Sequence, residues 1–248
     1  MTNSHCILLQ ETSLFKCRLS LLGDIGNGIF YAEKTADQDN PLLPIQLPRG
    51  HGGVVVLWKK SIDQLVTQVS DGNEIIQCVE VNSEPKVLII SAYMPFRDQR
   101  NKKKAKKAEL ELQEFTNQLR EIVLKYKNSH SIMIGGDMNT DLSIQRPRLP
   151  RTEHLLELIT DLNLKFNISG KNYVDPKGRD CSEIYYFLIK HISHQDQTGP
   201  LKKEILKHLE STTSDYYPIK LNISVNFSRK IQKEKLHSKL KRLDGTKF

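Results

Sequence analysis

Asp137 and Asn139 stand two residues apart at the end of an apolar run, Ser131-Ile132-Met133-Ile134-Gly135-Gly136-Asp137-Met138-Asn139. In extended chain, residues at i and i+2 project to the same side, so a carboxylate and a carboxamide are presented together. The apolar run reads as a buried strand, and strand C-terminal ends are where α/β folds commonly place ligand sites. The two glycines let the backbone turn sharply or approach a ligand closely. A plainer reading is a polar exit from strand to loop, since Gly, Asp and Asn all favour turns.

The elements around this pair follow from patterning. His5 to Gln10 reads as a short buried strand, and Gly52-Gly53 opens the β run Val54-Val55-Val56-Leu57-Trp58. Glu74–Asn82 and Lys86–Ala92 form β-rich segments around Asn82-Ser83-Glu84-Pro85, a predicted hairpin. Leu112, Phe115, Leu119, Ile122 and Tyr126 recur at helical spacing, which predicts an amphipathic helix over Lys103–Tyr126. A second helix is expected from Thr152, whose hydroxyl suits an N-cap, with Leu155, Leu156, Ile159 and Leu162 facing inward. Further strands are expected at Ile184–Ile189 and Ile219–Val225, and the segment Asp37–Gly50, with Pro41, Pro44 and Pro48, reads as a loop. Together these predict an α/β layered sandwich of mixed or antiparallel sheets.

The 248 residues fit one large domain over 1–227, followed by a basic tail over 228–248. The net charge of +8 suggests a polyanionic partner. Much of it is local, because the tail carries eight lysines and arginines against Glu234 and Asp244. That tail reads as a disordered charge run, a nucleic-acid grip or part of a linker towards a further domain. Lys102 to Lys107 reads first as a solvated helix start and second as a phosphate-tracking patch. Cys6, Cys17, Cys78 and Cys181 lack CxxC spacing, so reduced intracellular thiols are expected. The eight histidines show no metal-ligand spacing such as HExxH. No apolar run reaches the ~18 residues of a membrane span, so no membrane partner is expected.

Four strand ends bearing acids, amides or a tyrosine occur in order: Leu8-Leu9-Gln10-Glu11-Thr12, Ser91-Ala92-Tyr93-Met94-Pro95, Gly135-Gly136-Asp137-Met138-Asn139 and Ser214-Asp215-Tyr216-Tyr217-Pro218-Ile219. With the Gly52-Gly53 strand and Ser182-Glu183-Ile184-Tyr185-Tyr186 between them, the chain resembles the endonuclease/exonuclease/phosphatase superfamily from about Ile7 to Val225. Within that superfamily it is most similar to the apurinic-like endonuclease domain of non-LTR (LINE-type) retrotransposon polyproteins. The resemblance implies a four-layer αββα sandwich of two mixed β-sheets flanked by helices. It also implies hydrolysis of DNA phosphodiesters with Mg²⁺, or Mn²⁺ in its place, and hence a nuclear place of action with the cytoplasm as the alternative. A phosphatase or lipid phosphodiesterase of the same superfamily fits the motif spelling less well.

Residue by residue, the resemblance makes Glu11 the metal-binding glutamate and Tyr93 the tyrosine near the scissile phosphate. It makes Asp137 the group that orients or deprotonates the attacking water, and Asn139 its supporting amide. Asp215 matches the acidic member of a Ser-Asp-His signature, with a catalytic and metal-binding role. Two positions depart from the pattern. The histidine after that aspartate is Tyr216, and the aspartate of a Ser-x-Ile-Asp-Tyr segment is Tyr185. A phenol donates a hydrogen bond but carries no positive charge at neutral pH. The family also has a strand with a metal-binding asparagine, then a helix, before the strand matching Ile7–Gln10, and the expectation is a sandwich lacking that first strand. Two outcomes therefore stand open: an endonuclease, or an inactive nucleic-acid-binding remnant of a mobile element.

Overall fold

The computed structural model describes residues 5–26, 28–35, 52–96, 102–144, 149–175, 177–192, 202–207 and 215–226. The loop read over 37–50 and the basic tail lie outside the described residues.

Two sheets are stacked face to face. The larger comprises β4 (Val66–Asn73), β5 (Ile76–Val81), β6 (Lys86–Tyr93), β7 (His130–Asp137), β8 (Lys165–Phe166) and β11 (Tyr185–Lys190), in the order β4-β5-β6-β7-β11-β8. It is mixed, because β6 and β7 run parallel while the other pairs are antiparallel. The smaller sheet comprises β1 (Cys6–Gln10), β2 (Ile29–Lys34) and β3 (Val54–Lys59), in the order β1-β3-β2. Its pairings are all antiparallel, so among the described residues only the larger sheet is mixed. Two short ribbons, β9 (Tyr173–Val174) with β10 (Asp180–Ser182) and β12 (Lys203–Ile205) with β13 (Ile219–Leu221), complete the β structure.

Period-two side-chain alternation divides the core into three layers of packing. Leu88, Ile90, Ile132 and Ile134 face the helices α1 (Lys102–Tyr126) and α2 (Pro150–Asp161), meeting Phe115, Leu119, Leu155 and Ile159. Their alternates Val87, Ile89 and Met133 face the smaller sheet and meet Val56 and Trp58. Val55 and Leu57 point the other way, onto Leu19 and Leu22 of the 3-10 segment Lys16–Ile25. The result is four layers, with a 3-10 segment serving as the outer layer on the side away from α1 and α2.

The hairpin β5–β6 and the long helix α1 match the sequence pattern. The second helix departs from it. It opens at Pro150 after Leu149, without a side-chain cap. Thr152 lies inside the first turn, where its hydroxyl meets that of Thr140 at 2.6 Å. The last strand is also shorter than expected, covering Ile219–Leu221. No two of the four cysteines are joined.

Candidate active site

Register builds the centre of the site. Tyr93 is the partner of Asp137 across parallel strands β6 and β7, and Tyr185 is its partner across antiparallel strands β7 and β11. Directly paired residues in a sheet project to the same face, so Tyr93, Asp137 and Tyr185 form one row across three adjacent strands. Pairing continues one residue further, with Met94 N–H donating to Asp137 O at 2.8 Å and Met138 N–H to Ile184 O at 2.8 Å.

The two glycines are not a turn. They lie inside β7, where neighbouring atoms leave no room for a side chain. A Cβ on Gly136 would stand 1.8 Å from the Ala92 carbonyl oxygen, and one on Gly135 would stand 2.5 Å from Leu8 Cδ1. The close approach is therefore to the protein's own strands. It lets β1 settle over β7 and delivers the end of β1, with Glu11, to the row.

Glu11 leaves β1 in the left-handed region at φ 50°, and Asn139 does the same at φ 45° after β7. Asparagine tolerates that conformation, whereas glutamate at such an angle costs on the order of 1 kcal/mol or more. The turn is held by the two residues before β3, where Gly53 O accepts Thr12 N–H at 3.3 Å and Gly52 O accepts Ser13 N–H at 2.9 Å. Gln10 Nε2 donates to Ser91 Oγ at 2.9 Å, tying β1 to β6. Tyr93 then donates its hydroxyl proton to Glu11 Oε1 at 2.7 Å, joining the two sheets. Asn139 N–H donates to Asp137 Oδ1 at 2.7 Å, and Asn139 Nδ2 donates to Met94 O at 2.8 Å.

Burial governs the electrostatics. Asp137 is 2% exposed, and desolvation lifts its pKa to about 7. The Asn139 N–H and the Arg151 cation oppose this rise, while the charge of Glu11 adds to it. Burial likewise pushes the Tyr93 and Tyr185 phenols far above their ordinary value, and the Tyr216 phenol to about 12. The nearby carboxylates of Glu11 and Asp137 reinforce each of these shifts. Near neutral pH the site thus holds one carboxyl poised between its two states and three phenols that stay protonated.

Tyr185 and Tyr216 meet edge to face, with ring centroids 5.3 Å apart, and Tyr216 lies 5.2 Å from Tyr173. Tyr173 and Tyr216 also form an antiparallel bridge. Asp215 reaches this region through its backbone, its carbonyl accepting Val174 N–H at 2.8 Å. It is exposed, and its charge registers at Tyr216. Among the described residues no three His, Cys, Asp or Glu side chains gather as a metal cluster. The structure brings Glu11, Tyr93, Asp137 and Asn139 together, while Asp215 joins their surroundings through its main chain.

Three features of the site lie beyond the sequence reading. Arg151 is buried at the start of α2, with Nη2 donating to Pro95 O at 2.6 Å. Asn172 is wholly buried behind Tyr185. A cleft of about 350 Å³ opens beside Asn139, lined by Phe96, Leu149, Tyr173, Ile184 and Tyr216 among others. None had a local signal, because each depends on chain segments brought together from far apart.

No family model matches the sequence, and no curated protein matches it. Solved structures do. The AP endonuclease LMAP of Leishmania major aligns with a TM-score of 0.65 and 12% identity, over 88% of this chain and 77% of that one. The endonuclease domain of TRAS1, a telomere-specific non-LTR retrotransposon, aligns with a TM-score of 0.59 and 14% identity, over 89% and 86%. An endonuclease/exonuclease/phosphatase family protein of Leptotrichia buccalis aligns with a TM-score of 0.53 and 14% identity, over 89% and 87%. At these identities the likeness establishes architecture, and the chain carries the fold of the endonuclease/exonuclease/phosphatase superfamily.

Proposed function

We propose that this protein is a divalent-metal-dependent phosphodiesterase acting on DNA, of the retrotransposon endonuclease type. The observation that carries the reading is the buried Asp137, with a pKa of about 7, set in one row with Tyr93 and Tyr185 and within the field of Glu11. A base with a pKa near the working pH is suited to taking a proton from water. Asn139 fixes the carboxylate through its N–H. Tyr185 and Tyr216 stay neutral and can offer O–H groups to phosphoryl oxygens, while the Tyr93 hydroxyl proton is held by Glu11.

The donor chemistry fits Mg²⁺, with Mn²⁺ as a substitute. Glu11 and Asp137 are carboxylates close enough for the charge of one to raise the pKa of the other, and a bound divalent cation would reverse that penalty. Mg²⁺ takes one or two carboxylates and completes its shell with water and phosphate. Glu11 is proposed as the ligand, with Asp215 as the second carboxylate that the family pattern supplies. The bound ion would neutralise charge building on the phosphoryl oxygens. A DNA substrate implies nuclear action, and no helix among the described residues is long and apolar enough to cross a membrane.

A second reading rests on Tyr185 and Tyr216, which stand where the family pattern has an aspartate and a histidine. Without an imidazolium the chain would be a DNA-binding remnant. Nicking of supercoiled plasmid in Mg²⁺ separates the two when run beside Asp137→Ala and the double variant Tyr185→Asp/Tyr216→His. Nicking that vanishes in Asp137→Ala supports the enzyme. Nicking by the double variant alone supports the remnant.

A further inference from the structure

We infer that Asn172 is a positioning residue that locks the two tyrosine-bearing segments of the site to each other. The inference rests on the reading of this site as a phosphodiesterase centre. Tyr185 opens β11, and Tyr216 lies on a separate segment near the end of the chain. Nothing local in the sequence joins them.

Asn172 is 0% exposed and uses both ends of its amide. Its Oδ1 accepts the N–H groups of Ile184 at 3.0 Å and Tyr185 at 3.2 Å, and its Nδ2 donates to Tyr185 O at 3.1 Å. Its backbone works in the other direction. Asn172 N–H donates to Ser182 O at 2.9 Å, and Asn172 O accepts Tyr217 N–H at 2.8 Å. One residue thereby grips the entry to β11 with its side chain and the residue after Tyr216 with its main chain. The neighbouring bond from Val174 N–H to Asp215 O, at 2.8 Å, secures the same segment.

A second buried device closes on the same carbonyl. Lys203 Nζ donates to Tyr185 O at 3.2 Å and pairs with Glu183, both side chains being 1% exposed. Glu183 in turn accepts Ser169 N–H at 3.0 Å and Gly170 N–H at 3.4 Å, while its own N–H donates to Asp141 Oδ2 at 3.1 Å. Asp141 follows Asn139 by two residues. The bracket therefore reaches the loop that fixes Asp137, as well as both tyrosines.

An asparagine is the side chain that offers one acceptor for two amides and one donor for a carbonyl at this depth. Alanine removes the side-chain acceptor of both N–H groups and leaves Tyr185 O with Lys203 alone, whereas aspartate keeps the acceptor and loses the donor. Hydrogen exchange of the full chain tests the lock directly. In Asn172→Ala the amides of Ile184, Tyr185 and Tyr217 should exchange at least about tenfold faster as one group, while those of β5 and β6 keep their protection. Plasmid nicking should lose about tenfold or more in kcat with KM within about twofold, and Asn172→Asp should recover part of both effects. Acceleration at Ile184 and Tyr185 without Tyr217 overturns the lock, and so does full kcat in Asn172→Ala. If Asn172→Ala fails to fold, Asn172→Asp decides: a smaller acceleration shared by all three amides upholds the lock, and an unshared one overturns it. If the unaltered protein does not nick DNA, the phosphodiesterase reading falls while the exchange pattern still decides the role of Asn172.

Discussion

Tyr185 is the direct cross-strand partner of Asp137, and burial, strengthened by that carboxylate, holds its phenol protonated far above neutral pH. The residue beside the candidate base is thus a neutral donor. Replacing it with a second carboxylate would change the charge at the centre of the row.

Tyr185→Asp alone is expected to lower nicking, because a new buried carboxylate raises the pKa of Asp137 further. Adding Tyr216→His supplies a cation beside it and is expected to raise nicking at least about tenfold over the single variant, with the ~10²–10³ of one transition-state donor as the upper range. With the parent and Tyr216→His alone, these two variants form a double-mutant cycle whose coupling, measured by plasmid nicking, should be far from zero. Additive effects would show that the two positions act separately.

Asp137 has a pKa raised from 3.8 to about 7 in the fold. The folded state therefore holds this proton more tightly than the unfolded chain. Its stabilising contribution is complete below pH ~4 and is lost as pH rises to about 7, a change on the order of 4 kcal/mol. In metal-free buffer, Asp137→Asn should be nearly as stable as the parent at pH 4 and more stable at pH 8. Urea unfolding at both values checks this, and parallel pH dependence in the two proteins would refute it.

Gly136→Ala places a methyl group 1.8 Å from a main-chain oxygen of β6, which no side-chain movement relieves. A loss of roughly 3 kcal/mol or more is expected. Gly23→Ala, where a Cβ meets nothing within 4 Å, should stay within about 0.5 kcal/mol. Thermal unfolding of the two variants compares them.

Lys203→Met leaves the Glu183 carboxylate buried without its ion-pair partner and is expected to cost roughly 3–5 kcal/mol. Pairing it with Glu183→Gln should recover much of that loss, since a neutral amide removes the unpaired charge. Denaturant midpoints of the single and double variants give the answer. Equal destabilisation in both would mean that the charge itself is not the cause.

Glu11→Gln should weaken Mg²⁺ binding by roughly 10-fold or more, as removal of a carboxylate from a site with few ligands does. Tyr93→Phe frees Glu11 Oε1 of its hydrogen bond and should leave Mg²⁺ binding intact or tighter. Calorimetric titration of Mg²⁺ into the metal-free proteins measures both. An unchanged affinity in Glu11→Gln would remove Glu11 from the ligand set.

The core was legible where alternation and helical spacing are local properties. Val54 to Lys59 and Lys86 to Tyr93 became strands, and the stripe ending at Tyr126 became α1. Misreadings came where a residue answers to a distant partner. Gly135 and Gly136 looked like a turn because the Leu8 side chain and Ala92 carbonyl that require them lie far away in sequence. Thr152 looked like a cap, but its hydroxyl is taken by Thr140. The site was legible as a set of types, since Glu11, Tyr93, Asp137 and Asn139 do converge. Asn172 was invisible, because one asparagine in a loop announces nothing until the strands it bridges are known.

The hydrogen bond from Tyr93 to Glu11 joins a strand of the larger sheet to the end of a strand of the smaller one. Neither sheet alone contains a whole site. A chain that has formed only one of them holds part of the row, so the site and the sandwich are completed together. The Tyr93–Glu11 contact exists only where both sheets have met.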